Sequence, residues 1–186
     1  MNATVHSYRR PAGVETDPQD VVRTALDGST EPAGAIVIDH RDGDEGTVVA
    51  LWPDGTPTPD GSRCYRLADQ IEGVAVGRTP LFAQLTWLNS GGDPAVARAA
   101  ERGGRERIDP LVRDVDGLVR VLVFRSADDR IVVVGMATGL ETLAEVRDRI
   151  MRTPLLPGED PALLPGPDRM ELGRILRADV PAEVRS

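Results

Sequence analysis

The sequence contains no lysine: all 22 basic positions in its 186 residues are arginine. That excludes a Schiff-base lysine and the lysine of a Walker-type phosphate loop. Cys64 is the only cysteine, so no intramolecular disulfide can form, as expected of a chain in a reducing cytoplasm. With only two histidines, His6 and His40, a three-histidine zinc site is impossible, and no Cys or His pair has zinc spacing. No metal is expected. Aromatic residues make up 3% of the chain, so a core drawn from its 40% hydrophobic content must consist of Val, Leu, Ile and Ala. No apolar run approaches the roughly 18 residues a spanning helix needs, and no charged start precedes an apolar stretch. The expected location is therefore the cytoplasm, with no membrane partner. A net charge of −8 leaves no basic face for a nucleic-acid backbone. G-x-S-x-G and G-x-G-x-x-G are both missing, so hydrolase elbows and dinucleotide loops have no support. "RDGDEG" (41–46) lacks the spacing and distal glutamate of a calcium loop and reads as a hairpin turn.

What the chain does have is one plan written twice. "HRDGDEGTVVALW" (40–52) and "FRSADDRIVVVGM" (124–136) each run from an aromatic-Arg pair through an acidic turn into β-branched residues. Around the first, "ATVHSY" (3–8) reads as a strand. "TDPQDVVRTALDG" (16–28) reads as a helix opening at Asp17-Pro18, and "GAIVIDHR" (34–41), "TVVALW" (47–52) and "CYRLADQI" (64–71) as strands. Around the second, "PLFAQLTWLN" (80–89) is a strand, and a helical region over 91–117 again opens at Asp-Pro, at Asp93-Pro94. Gly103 and Gly104 interrupt that region, and Pro110 starts a shorter piece. "LVRVLVFR" (118–125) and "RIVVVGMA" (130–137) form the twin hairpin. Leu140, Leu143, Val146 and Ile150 give 139–153 a helical period, and "RMELGRILRA" (169–178) closes as a strand.

The order β-α-β-β-(α)-β is the ferredoxin-like split βαβ motif, with a Pro/Gly loop (53–63) in place of the second helix of the first copy. The predicted class is α+β: two ferredoxin-like repeats, 1–78 and 79–180, packed sheet to sheet as an intrachain α+β barrel, with 181–186 as a tail. A four-stranded sheet with helices on one face must bury the other. Both faces of the twin strands are apolar: Ile36 and Ile38 against Ala35 and Val37; Leu122 and Phe124 against Val119, Val121 and Val123. Two-sided apolarity calls for two-sided burial, which two fused copies give each other. A monomer or weak homodimer follows.

The stretch "PLFAQLTWLNSGGDPAVARAAERGGRERIDPLVRDVDGLVRVLVFRSADDRIVVVGMATGLETLAEV" resembles the antibiotic biosynthesis monooxygenase-like domains of the dimeric α+β barrel superfamily. The likeness is best in "VDGLVRVLVFRSADDRIVVVGMATGLETLAEV", where a V-x-G turn precedes the hairpin and a short apolar helix follows the third strand. It covers about 100 residues well and the first copy loosely. Some members of that family oxidise aromatic polyketides with O₂ and no cofactor; others degrade haem, using an Asn on the first strand and a His on a helix. Asn89 lies near the end of a first strand, but no predicted helix here contains a His, so the resemblance implies no cofactor. It implies a cofactor-independent, monooxygenase-like oxidoreductase acting on an aromatic or polyketide-type small molecule. Truncation of the first copy suggests the alternative, a non-catalytic small-molecule-binding or regulatory protein of the same fold. A plain structural subunit is a third reading.

The candidate catalytic residues are Trp87, Asn89 and His40; the candidate substrate-binding residues are Arg120, His6, Tyr8 and Phe124. Trp87 offers a flat apolar surface and Asn89 an amide able to orient a carbonyl. His40 and His6 are candidate bases, since burial favours a neutral imidazole. Arg120 interrupts an apolar face, where a charge must be paired or line a cavity. The expected cavity lies between helix and sheet. Each candidate also has a bland reading: Trp87 as core, Asn89 as a turn residue, the histidines as hydrogen-bonded structure. Arg41 and Arg125 can clamp an anion, but cross-turn pairing with Asp44–Glu45 and Asp128–Asp129 is the simpler expectation.

Overall fold

The computed structural model describes residues 1–10, 17–28, 30–41, 44–59 and 61–181; the proposed tail beyond 181 lies outside them. They form eight strands: β1 (Asn2–Arg9), β2 (Gly34–His40), β3 (Glu45–Trp52), β4 (Cys64–Glu72), β5 (Phe82–Leu88), β6 (Leu118–Ser126), β7 (Ile131–Ala137) and β8 (Arg169–Asp179). The helices are α1 (Pro18–Ala25), α2 (Pro94–Gly103), α3 (Asp109–Val112) and α4 (Leu140–Arg152). The first two start alike. Asp17 and Asp93 each cap their helix by accepting from the amide two residues on, at 2.8 and 2.7 Å, with proline at the first helical position. Gly103 and Gly104 do not stop α2. The chain passes into a π-helical turn, Gly104–Ile108, and then into α3. No helix of the described residues is long and apolar enough to cross a membrane.

The strands close into one antiparallel barrel in the order β1-β3-β2-β8-β5-β7-β6-β4. Each half contributes a ferredoxin-like sheet of order 4-1-3-2, and each seam joins the second strand of one half to the fourth strand of the other: β2 to β8, and β4 to β6. Closure leaves neither sheet an open edge. Both seams carry a bulge at the same place, between Leu67 and Asp69 on β4 and between Ile175 and Arg177 on β8.

The paired registers fix which residues correspond, and they correct the alignment suggested by the hairpin sequences. Ile38, paired with Thr47 and Ile175, corresponds to Phe124, paired with Val132 and Leu67. His40, opposite Gly173, therefore corresponds to Ser126, opposite Tyr65, and not to Phe124. By the same shift of two residues, Arg120 corresponds to Gly34 and not to Ile36, and Arg125 to Asp39 and not to Arg41. Barrel closure, rather than local likeness, sets the equivalence.

Alternation then sorts the side chains into three layers. Inside the barrel lie Ile36, Ile38, Val49, Leu51, Leu85, Leu122, Phe124, Val132, Val134 and Met136. Outside the first half, α1 covers Val37, Val48, Ala50 and the fully buried Trp52 with Val21, Val22 and Leu26. Outside the second half, α3 and α4 bring Leu111, Val112, Val146 and Ile150 onto Val121, Val123 and Val133. Glycine is required where strands crowd. A Cβ at Gly46 would stand 2.3 Å from the Tyr8 ring, and one at Gly173 would stand 2.4 Å from the Asp39 carbonyl oxygen. Phe124, 1% exposed at the centre of the barrel, is core and not a ligand-binding residue. Phe124→Ala should lower the unfolding free energy by about 3–5 kcal/mol in a denaturant titration. Met151→Ala, at a side chain 78% exposed, should change it by less than about 0.5 kcal/mol.

Candidate functional site

Polar side chains meet at the end of the barrel where β2 stops and β8 runs on. His40, Thr47 and Glu171 continue the inward-facing rows of Ile36–Ile38, Val49–Leu51 and Ile175. The Thr47 hydroxyl donates to Glu171 Oε2 at 3.2 Å, and His40 Nε2 lies 3.0 Å from both Thr47 Oγ1 and Glu171 Oε2. The Thr47 hydroxyl spends its proton on Glu171, so Nε2 carries the imidazole proton and donates it to Thr47 Oγ1. Nδ1 is then left as the ring's acceptor, without a hydrogen-bond partner among the described residues. Arg169 completes the group: its guanidinium pairs with Glu171 and lies 4.4 Å from the centroid of the Trp87 ring. The His40 and Glu171 side chains are 13% and 14% exposed, so little water screens them.

Burial and the nearby Arg169 charge lower the His40 pKa, against a weaker upward pull from Glu45 and Asp39. The imidazole is neutral at pH 7. An open recess of ≈ 370 Å³ adjoins the pair, lined by His40, Arg41, Met170, Glu171 and Leu172.

The other candidates lie elsewhere. His6 and Tyr8 are on the outer face of β1. His6 Nε2 meets Thr4 Oγ1 at 2.8 Å, and Thr4 also accepts from Trp52 Nε1 at 3.0 Å. Burial lowers the His6 pKa, with a smaller opposing pull from Asp27. Tyr8 packs in the layer under α1, donates to the Ile38 carbonyl at 3.3 Å and has its pKa pushed up to about 12, chiefly by burial. It stays a neutral phenol. Asn89 sits in the left-handed region, φ 57°, where its amide donates to the carbonyls of Asp93 and Asp129 and accepts from the Asp93 N–H. Its side chain ties β5 to α2 and to the β6–β7 turn and has no free group for a ligand. Arg120 is at the far end of the barrel, 2.8 Å from Glu72 across the β4–β6 seam. Arg125 pairs with Asp129 as expected, and with Glu101 at 2.8 Å.

The expected helix–sheet cavity holding Trp87, Asn89, Arg120 and His40 together is therefore absent among the described residues. Both helix–sheet layers are filled by their own side chains. Neither histidine lies on a helix, so the haem-ligand arrangement of a helical His has no counterpart. Thr47, Glu171 and Arg169 escaped the sequence reading. In "RMELGRILR" the apolar residues Met170 and Leu172 suggest the inward face, whereas the register turns Glu171, Gly173 and Ile175 inward.

Stability should follow the two depressed histidines. Below the unfolded-chain value of 6.5 the unfolded state binds protons that His6 and His40 resist in the native state. The stability they contribute is complete above pH 6.5 and is lost as pH falls through their lower native values. Thermal midpoints measured from pH 7.5 downward should fall below pH 6.5, and the fall should be smaller in His40→Gln.

No family model and no curated protein sequence matches the chain. Solved structures do match. A major regulator of staphylococcal pathogenesis aligns at TM-score 0.59 and 8% identity, over 96% of this chain and 100% of that one. An anthrone oxidase-like protein aligns at TM-score 0.54 and 10% identity, over 96% and 92%. A candidate monooxygenase from Fusobacterium nucleatum aligns at TM-score 0.53 and 10% identity, over the same shares. In each, one chain spans nearly the whole of this one, so both halves are matched within a single polypeptide. The chain thus has the dimeric α+β barrel fold of the monooxygenase-like proteins, with both ferredoxin-like units supplied in tandem.

Proposed function

We propose that the protein is a small-molecule-binding protein on a monooxygenase-like barrel, with its site at the β2–β8 end. One observation carries this reading. The polar group His40–Thr47–Glu171 sits beside an open recess, whereas the corresponding positions on the other seam hold Ser126, Val132 and Arg63, with Tyr65 filling the place of Gly173. Barrel closure does not need the polar group, and burying it costs solvation that an apolar set would not. A second recess of ≈ 590 Å³, lined by Leu111 of α3 and by Ala144, Glu145, Asp148, Arg149 and Arg152 of α4, is more open and has no histidine in its lining. A likeness to a protein described as a regulator suits a binding role. The fused halves complete the barrel, so the working unit is a monomer or a weak dimer, and the lone cysteine suits the cytoplasm.

A second reading, a cofactor-independent oxidation of an aromatic or polyketide-type substrate, is favoured by the free Nδ1 of His40. Held by Thr47 through Nε2–H, with Glu171 behind the threonine, the imidazole is an oriented general base. It would take a proton from an acidic C–H, and the carbanion would reduce O₂, an anthrone methylene becoming a carbonyl with loss of water.

Having two histidines gives the experiment a probe and a control. Small aromatic and aliphatic compounds that raise the thermal midpoint should move the His40 imidazole resonances and leave those of His6 in place. Stabilising ligands that leave His40 unmoved would put the site elsewhere. Oxygen uptake with an anthrone, abolished in His40→Ala, would establish the enzyme; binding without uptake would leave the binding role alone.

A further inference from the structure

Resting on that site, we infer that the recess at the β2–β8 end selects small carboxylates, with Arg41 as the anchor for the charge. Arg41 is exposed, lines the recess and makes no ion pair among the described residues. The described acids of its own turn, Asp44 and Glu45, do not use it. Arg9 takes Glu45 at 3.1 Å and Asp44 at 3.9 Å, leaving the expected cross-turn pair unmade, although Arg125 makes its own with Asp129. Of the other guanidiniums at this end, Arg169 is held by Glu171 and by the face of Trp87, Arg10 by Asp39, and Arg174 does not line the recess. In a chain of net charge −8, an uncommitted arginine at the rim of a recess gives an anion a charge to meet.

The remaining walls define the rest of the ligand. Met170, half exposed on the outer face of β8, and Leu172 beside it offer apolar surface for a short hydrocarbon body. The planar fork of Arg41 matches a carboxylate in two hydrogen bonds, which a neutral amide cannot reproduce with the same charge. His40 lies in the same lining and reports occupancy. Glu171 does not repel the ligand outright, because its charge is already met by Arg169 and by the Thr47 hydroxyl.

The test compares matched pairs, benzoate with benzamide and butyrate with butyramide, titrated at pH 7.5 while the His40 and His6 resonances are followed. The acids should shift His40 alone and bind at least about tenfold tighter than their amides, a difference of roughly 1.4 kcal/mol. In Arg41→Gln, whose exposed position leaves the fold intact by thermal midpoint, that preference should vanish. Equal binding of acid and amide would overturn the anion assignment while the recess kept its role as a site. Acid preference retained in Arg41→Gln would overturn the choice of anchor. No movement of His40 with any of the four probes would overturn this inference, and a panel that also failed to move it would overturn the binding site itself.

Discussion

A four-stranded sheet has two open edges and one open face, and in this chain the same event closes all three. β2 hydrogen-bonds to β8 and β4 to β6, so each half supplies the missing neighbour at both edges of the other. The inward faces then form a single core in which Ile36, Ile38 and Leu51 from one half pack with Leu85, Leu122 and Met136 from the other. Every other feature depends on that closure. It fixes the inward rows, it sets the length by which β8 overhangs β2, and it brings His40 of the first half onto Glu171 of the second.

The two halves use the same frame unequally. Their bulges fall at corresponding residues, Leu67–Asp69 and Ile175–Arg177, and their first helices share the Asp-Pro cap. Yet one seam ends in Tyr65 and the other in Gly173, with Thr47, His40 and Glu171 around it. Symmetric packing serves stability at both ends, and only one end departs from it toward polar groups. Such a departure is expected where a protein trades packing for function. Among the described residues the first half has no helix between β3 and β4 where the second half has α4, and α1 covers its outer layer over the buried Trp52.

The sequence disclosed the strands well because their signals are local. The Asp17-Pro18 and Asp93-Pro94 starts, the two-sided apolarity of residues 34–38 and 118–124 and the period of 140–150 all act within one element. The order of elements then implied the ferredoxin-like halves. The site was less legible because it is made by register. His40 and Trp87 could be singled out as polar or flat groups in apolar company, but Glu171 could not: Met170 and Leu172 beside it suggest the wrong face, and only pairing with β2 and β5 turns it inward. Asn89 misled for the opposite reason. Its environment, a left-handed turn ahead of Gly91 and Gly92, is a local structural demand that resembles a polar site on paper.

Native-state hydrogen exchange tests the shared closure most directly. If the barrel is one cooperative body, amides bonded across the seams, such as those of Asp39 on β2 and Ile71 on β4, open with the same free energy as amides within a half, such as Val49 on β3, and match global unfolding. Seam amides that exchange at much lower free energy, while β1–β3 and β5–β7 stay protected, would mean that the halves are separate units resting against each other, and would contradict the account.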